Sequence, residues 1–258
     1  MGSTPTTGTL MAQIPSKLVN HDFFKKWSRE MSYVFGYFIA DGCICTAKNR
    51  PNNPYTFNIT SIDEEHLYKL RDVMGSNHKI SNKNGHNKNS AFQIQIRSLS
   101  LALDLMDLGV PLRKTYNLET IFVPEKYFWD FTRGFFDGDG TVYIYNVNGV
   151  PQIKSGFVCA SSSFIRDLNE KICNNLQIPL KSIHVKPAKE KRIEQHYLDF
   201  YIEDSEKLMS HLCANNPTLY LERKKKIFDQ WLELKKGKRK FTKHNYPSKV
   251  GWHLNKSL

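Results

Sequence analysis

The chain has 258 residues, 40% hydrophobic and 24% charged, which is enough for one duplicated domain or two small ones with an ample core. No apolar run approaches the ~20 residues of a transmembrane helix, and the Thr/Gly/Ser/Pro-rich start lacks the charged and apolar regions of a secretory signal. A net charge of +12 points to a polyanionic partner.

Residues 1–21 read as a flexible leader. Phe24, Trp27, Met31, Val34, Phe35 and Phe38 then recur at three- and four-residue steps, which predicts a helix with one apolar stripe. Asp22 lies near its start, where an acid suits the helix dipole. The helix ends at Asp41-Gly42, with Gly42 available as a C-terminal cap. Phe57 and Ile59 alternate with Thr56, Asn58 and Thr60 as a strand, and a helix follows over 63–74. A polar, mobile turn is expected over 82–90. Phe92, Ile94 and Ile96 alternate with Gln93, Gln95 and Arg97, the clearest period-two signal in the chain. A short helix over 99–108 and the pair Arg113-Lys114 complete a first unit, 22–115, before a linker at 116–123.

The second unit, 124–234, repeats this order. Pro124 opens a helix carrying Phe128, Phe131 and Phe135 that ends at Asp139-Gly140. Val142 and Ile144 alternate with Tyr143 and Tyr145, and Phe157 and Cys159 continue the next strand. A helix spans 162–176. Leu198, Phe200 and Ile202 alternate with Tyr197, Asp199 and Tyr201, followed by helices over 204–213 and 221–234, the last carrying Arg223-Lys224. The order is α-β-β-α-β-β-α, twice. Residues 235–258 form a basic tail with eight Lys and Arg and no acid, either a phosphate-gripping arm or a solvated extension.

The repeat is visible residue by residue. Val34-Phe35-Gly36-Tyr37-Phe38-Ile39-Ala40-Asp41-Gly42 is echoed, 98 residues on, by Thr132-Arg133-Gly134-Phe135-Phe136-Asp137-Gly138-Asp139-Gly140. Gly36 with Ala40, and Gly134 with Gly138, place two small residues one turn apart on each helix, so that the two backbones can approach closely. Asp41 and Asp139 would then arrive side by side at the negative ends of both helices. Such a pair repels itself, and a divalent cation held by Asp41, Asp139 and the last-turn carbonyls of Ala40 and Gly138 would offset that repulsion. Oxygen-only ligands favour Mg²⁺ over zinc. Asp137-Gly138-Asp139-Gly140 is not an EF-hand loop, because Thr141 and Val142 stand where Asn/Asp and Gly are needed. No P-loop, H-E-x-x-H or G-x-G-x-x-G is present, and Cys43 and Cys45 do not form a zinc knuckle. Five cysteines, an odd number, suggest a reducing compartment, either a prokaryotic cytoplasm or an organelle containing DNA.

These two motif copies, the elements after each and the basic residues late in each half resemble the LAGLIDADG homing endonucleases in their single-chain, two-motif form. The resemblance covers roughly 22–234. It implies an α+β fold of duplicated αββαββα halves, related by a pseudo-twofold axis around a two-helix interface, with two antiparallel sheets forming a DNA-binding saddle. It makes Asp41 and Asp139 the metal-binding acids, and Ile39, at the sixth motif position, compatible with activity. One basic residue per half should lie near each scissile phosphate: Lys114 and Lys224, with Arg113, Arg223 and Lys225 as neighbouring alternatives. Ser61 and Ser161 match the positions that give a polar residue to the water network. The implied cofactor is Mg²⁺, with Mn²⁺ substituting and Ca²⁺ binding without supporting cleavage. The partner is double-stranded DNA, bound by a monomer. Base-reading candidates on the sheets are Asn58, Gln93, Gln95 and Arg97 in the first half, and Tyr143, Tyr145, Gln152, Lys154 and Tyr201 in the second. The expected activity is site-specific cleavage of one phosphodiester per strand of a long asymmetric target. The alternative is an RNA maturase acting on intron RNA, or a non-catalytic DNA-binding regulator.

Overall fold

Each half begins with a buried helix and then spends its alternating segments on one antiparallel sheet. The computed structural model describes residues 17–47, 49, 51–52, 54–83, 91–189 and 193–238. In the first half, α1 (Arg29–Asp41), β1 (Gly42–Thr46), β2 (Tyr55–Ser61), α2 (Glu64–Val73), β3 (Ile80–Asn82), β4 (Phe92–Arg97), α3 (Leu99–Asp107) and the short α4 (Lys114–Asn117) follow in order. The second half runs α5 (Phe128–Asp139), β5 (Gly140–Val147), β6 (Val150–Cys159), α6 (Ser162–Leu176), β7 (Ile183–Lys186), β8 (Gln195–Tyr201), α7 (Ile202–Leu212) and α8 (Glu222–Lys238). The two sheets share one topology, β1-β2-β4-β3 and β5-β6-β8-β7, with every pairing antiparallel. This is the α+β pseudo-twofold duplication that the repeat implied.

Period-two sequence becomes two-faced sheet. Phe57, Ile59, Ile94 and Ile96 are buried on one side of the first sheet, as are Ile153, Phe157, Leu198 and Phe200 on the same side of the second. One continuous hydrophobic cluster joins both halves, centred on Tyr33, Phe35, Tyr37 and Phe38 of α1 and Phe131, Phe135 and Phe136 of α5. Rings interlock there: Phe35 meets Phe131 at 5.5 Å, Phe38 stacks on Phe57 at 4.8 Å, and Phe135 stacks on Phe157 at 5.8 Å.

Several expectations are corrected. α1 starts at Arg29, not near Phe24, because the Ser28 hydroxyl accepts from Met31 N and caps it. Asp22 therefore lies in the preceding turn, paired with Lys25 at 2.6 Å. Phe24 is buried against Phe35 and Phe57 without being helical. Gly42 and Gly140 end their helices in extended conformation, with φ of −92° and −79°, so neither is a left-handed cap. Each is glycine because a Cβ would overlap the ring of Phe38 or Phe136 one turn back. Ile202 is not a strand residue but opens α7, exposed and with φ of 45°. Residues 17–21 are not a free leader: Leu18 N donates to Asn77 Oδ1 at 2.7 Å and Asn20 N to Met74 O at 3.0 Å. The linker packs inward through Leu118, Ile121 and Val123. α8 continues through Lys238, taking in the start of the basic tail. Residues 1–16 of the leader, 84–90 of the polar turn and 239–258 of the tail lie outside the described residues.

Candidate active site at the paired helix ends

Glycine sets how near the two motif helices come. A Cβ on Gly36 would overlap the Phe131 carbonyl, and one on Gly134 would overlap the Tyr33 carbonyl, so the backbones of α1 and α5 touch reciprocally. One turn further on, a Cβ on Gly138 would overlap that of Ala40 and stand 3.5 Å from Asp41 Oδ2. Asp41 and Asp139, the last residues of the two helices, are thereby brought to one place.

Neither carboxylate is comfortable there as an anion. Burial pushes Asp41 up from its ordinary value, opposed by the positive charges of Lys224 and Lys114 and by a hydrogen bond from Tyr37. Burial and the negative charge of Asp41 together push Asp139 up to about 6, with Lys114 and Lys224 pulling the other way. Two half-buried carboxylates at two helix C-termini are a site of unsatisfied negative potential.

One lysine from each half answers that potential. Lys114, at the start of α4, donates from Nζ to the carbonyls of Ile39 and, at 2.7 Å, Ala40. Lys224, in the first turn of α8, donates to Phe136 O at 2.6 Å, Asp137 O at 2.9 Å and Gly140 O, and more distantly to Gly138 O at 3.4 Å. Each lysine thus covers the orphan carbonyls of its own half's motif helix. Burial lowers both, Lys224 to about 8. The carbonyls of Ala40 and Gly138, expected to be free for a cation, are in this arrangement bonded to ammonium groups. Arg113 is exposed with φ of 59°. Arg223 instead binds Asp63 of the first half at 3.0 Å, and Lys225 binds Asp229 at 2.6 Å. Of the five basic candidates, Lys114 and Lys224 are the ones seated on the motif helices.

The two serines have structural partners. Ser61 shares a 2.9 Å hydrogen bond with Tyr37 Oη and accepts from Asp63 N at 3.1 Å. Ser161 accepts from Phe164 N as the cap of α6 and donates to Leu118 O at 2.6 Å. Beneath the acids, Tyr33 Oη donates to Asp137 Oδ2 at 2.6 Å, which leaves its oxygen to accept from His66 Nε2 at 3.0 Å. Leu221 N also donates to Asp137 Oδ2, at 2.9 Å. Burial pushes His66 down to about 4, so this ring is neutral.

A cleft of about 200 Å³ opens beside Asp139, lined among others by Ala40, Lys114, Cys159, Ser161 and Gln195. Sequence reading missed Gln195. A glutamine opening a strand carries no motif, and its one signal was its place two residues before the period-two run of β8. Cys159 was read only as a strand residue; burial pushes its thiol up to about 11, with Asp139 adding to the shift.

Away from the helix ends, the sheet faces carry the base-reading candidates. Gln95, Arg97, Tyr143 and Tyr201 are exposed, and Gln93, Tyr145, Gln152 and Lys154 are half-buried. Lys154 pairs with Asp199 at 2.7 Å and lies over the Tyr201 ring at 4.8 Å. Asn58 is the exception. It is only 6% exposed, between Cys43 of β1 and Gln95 of β4 in the register, and its amide donates to Cys43 Sγ and Thr60 Oγ1. A base edge cannot reach it without displacing those neighbours.

The donor set suits a hard cation. Among the described residues, no group of three or more His, Cys, Asp or Glu converges on one point. Two carboxylates alone fit Mg²⁺, which keeps waters and takes substrate phosphates as its remaining ligands.

No protein-family model and no curated protein matches the sequence. Solved structures do. The LAGLIDADG homing endonuclease I-GzeII in complex with DNA target aligns at a TM-score of 0.57 and 12% identity, covering 84% of this chain and 94% of that one. The meganuclease I-SmaMI bound to uncleaveable DNA aligns at 0.53 and 12% identity, covering 81% and 90%. I-DmoI in complex with DNA and Ca aligns at 0.50 and 16% identity, covering 76% and 92%. The chain therefore has the fold of the LAGLIDADG homing endonucleases, with both motif helices present in one polypeptide.

Proposed function

We propose that this chain is a site-specific endonuclease that binds one long duplex DNA target as a monomer and hydrolyses one phosphodiester in each strand. The observation that carries this is the pair Asp41 and Asp139 at the ends of two glycine-packed helices, flanked by one lysine from each half. The DNA-bound structures of similar fold, one of them holding Ca, agree with a DNA partner and a divalent cation. The outward sheet faces, with Gln93, Gln95 and Arg97 in one half and Tyr143, Tyr145, Gln152, Lys154 and Tyr201 in the other, would read the two unlike half-sites.

Asp41 and Asp139 would hold Mg²⁺. When bound, that cation supplies Lewis-acid polarisation of the phosphate and a more acidic water. The residues do the rest. The carboxylates would hold that cation, whose charge would attract the scissile phosphates that the ionised acids alone would repel. Lys114 and Lys224, held at the helix ends, place positive charge where the phosphorane and leaving 3′-oxygen gain negative charge. Gln195, through its amide NH₂, would orient water in the cleft beside Asp139, where the Ser161 hydroxyl is already committed to Leu118 O and the α6 cap. Selection of cleaved molecules from a randomised duplex library in Mg²⁺ tests this directly, and recovery of a single asymmetric sequence family is expected. Recovery of none, together with tight RNA binding, would assign the chain to the maturase alternative.

A further inference from the structure

The two outward sheet faces carry different chemistry at matching places. Gly42 pairs with Ile59 as Gly140 pairs with Phe157, and Ile59 pairs with Ile94 as Phe157 pairs with Leu198. By that register Asp199 matches Gln95, Lys154 matches Thr56, and Gly156 matches Asn58. Where the first sheet offers amides and a hydroxyl, the second offers an acid, a base and a gap. An acid is out of place on a face whose only task is to meet phosphates.

Asp199 and Lys154 are held as one unit. Lys154 Nζ donates to Asp199 Oδ2 at 2.7 Å and lies 4.8 Å from the centre of the Tyr201 ring, and Tyr201 Oη donates to the same oxygen at 3.5 Å. The two side chains are only 18% and 17% exposed, although they stand on the outward face. The pair is thus set before any DNA arrives, in a partly desolvated place where hydrogen bonds gain strength. Among the described residues, the bonds to Asp199 fall on Oδ2, which leaves Oδ1 to accept. Gly156 gives that oxygen its room, since a Cβ there would stand 2.7 Å from it. Lys154 spends one of its three N–H groups on Asp199 and keeps two.

We infer that Lys154 and Asp199 together read one G·C base pair in the half-site bound by the second half, Asp199 Oδ1 accepting from cytosine N4 and Lys154 donating to O6 and N7 of the paired guanine. The inference rests on the endonuclease function proposed above. In the major groove a G·C pair presents two adjacent acceptors on guanine and one donor on cytosine. The unit presents two donors beside one acceptor. An A·T pair sets its single donor between two acceptors, adenine N7 and thymine O4, so the ammonium meets only one of them. The carboxylate also discriminates by repulsion, because thymine O4 or guanine O6 set opposite Oδ1 puts acceptor against acceptor. Gln95, at the matching place in the first sheet, carries donor and acceptor on one amide and suits adenine instead.

The test uses the full chain and targets recovered from the randomised library. Those targets should share one G·C pair, in one orientation, that depends on this unit. In a gel shift in Ca²⁺, replacing its cytosine with N4-methylcytosine, which keeps the base pair and removes the groove-side N–H, should weaken wild-type binding by about tenfold. Asp199→Asn and Lys154→Met, made separately so that a folding failure of one leaves the other, should each remove most of the preference at that position and keep the preferences elsewhere. No N4-methylcytosine-sensitive position, a preference for A·T there, or equal weakening by the variants on all sequences, as loss of a phosphate contact gives, would overturn the inference and leave the endonuclease function standing. Recovery of no target at all would overturn that function, and the inference with it.

Discussion

Asp139 departs from its ordinary range in the direction a metal would correct. Its folded pKa of about 6 lies above the unfolded value of 3.8. The folded chain therefore binds more protons than the unfolded chain between those values, and stability falls as pH rises through that window. Above it the ionised side chain destabilises the metal-free fold by on the order of 2–3 kcal/mol. Asp139→Asn should thus raise stability at pH 7 in EDTA by about that amount, measured by urea unfolding, and Mg²⁺ should narrow the gap by stabilising wild type. A less stable Asn variant would contradict the electrostatic picture of the pair. His66 has the opposite sign. Its pKa of about 4 lies below the unfolded 6.5, so its contribution is intact above pH 6.5 and fades as pH falls towards 4. At this scale the sequence marked Asp41 and Asp139, because a repeat doubles a weak signal, and it marked Lys114 and Lys224 through the family resemblance. It did not mark Gln195, whose repeat-matched position is Ala91 rather than another glutamine, nor the burial of Asn58, which depends on what neighbouring strands place beside it.

Element by element, the close approach of α1 and α5 is the feature that fixes the geometry. A Cβ at Gly36 or Gly134 meets a backbone carbonyl of the other helix rather than the tip of a flexible side chain. The helices would have to part, so Gly36→Ala and Gly134→Ala should each cost at least ~2 kcal/mol in chemical denaturation. Ser28→Ala should cost about 1 kcal/mol by uncapping α1. A neutral Gly36→Ala would mean that the helices are further apart than described. The strands were readable where one face is buried, as in β4, whose Phe92, Ile94 and Ile96 alternate cleanly. The start of α1 was not, because Phe24 and Trp27 continue the helical rhythm while serving a non-helical turn, and only the hydroxyl of Ser28 marks the boundary. Ile202 failed similarly: its hydrophobicity extends the pattern of β8, but the chain has already turned into α7.

For the whole molecule, the proposed function would take its two half-sites from the duplication in one chain, so binding should be one chain per duplex, checked by sedimentation of the complex. The net charge of +12 makes that binding salt-dependent. Residues 239–258 carry Arg239, Lys240, Lys243, Lys249 and Lys256. If they grip phosphates, deleting them should make the slope of log K against log salt shallower by ~0.9 per lost contact. An unchanged slope would assign them to solvent. The most direct measurement of the central claim compares wild type with Asp41→Asn and Asp139→Asn on a selected target, by gel shift in Ca²⁺ and plasmid linearisation in Mg²⁺. Both variants should bind DNA nearly as well as wild type and fail to linearise it, because each loses one of the two carboxylates that share the site. Linearisation by either variant at a near wild-type rate would show that Asp41 and Asp139 are not the catalytic pair.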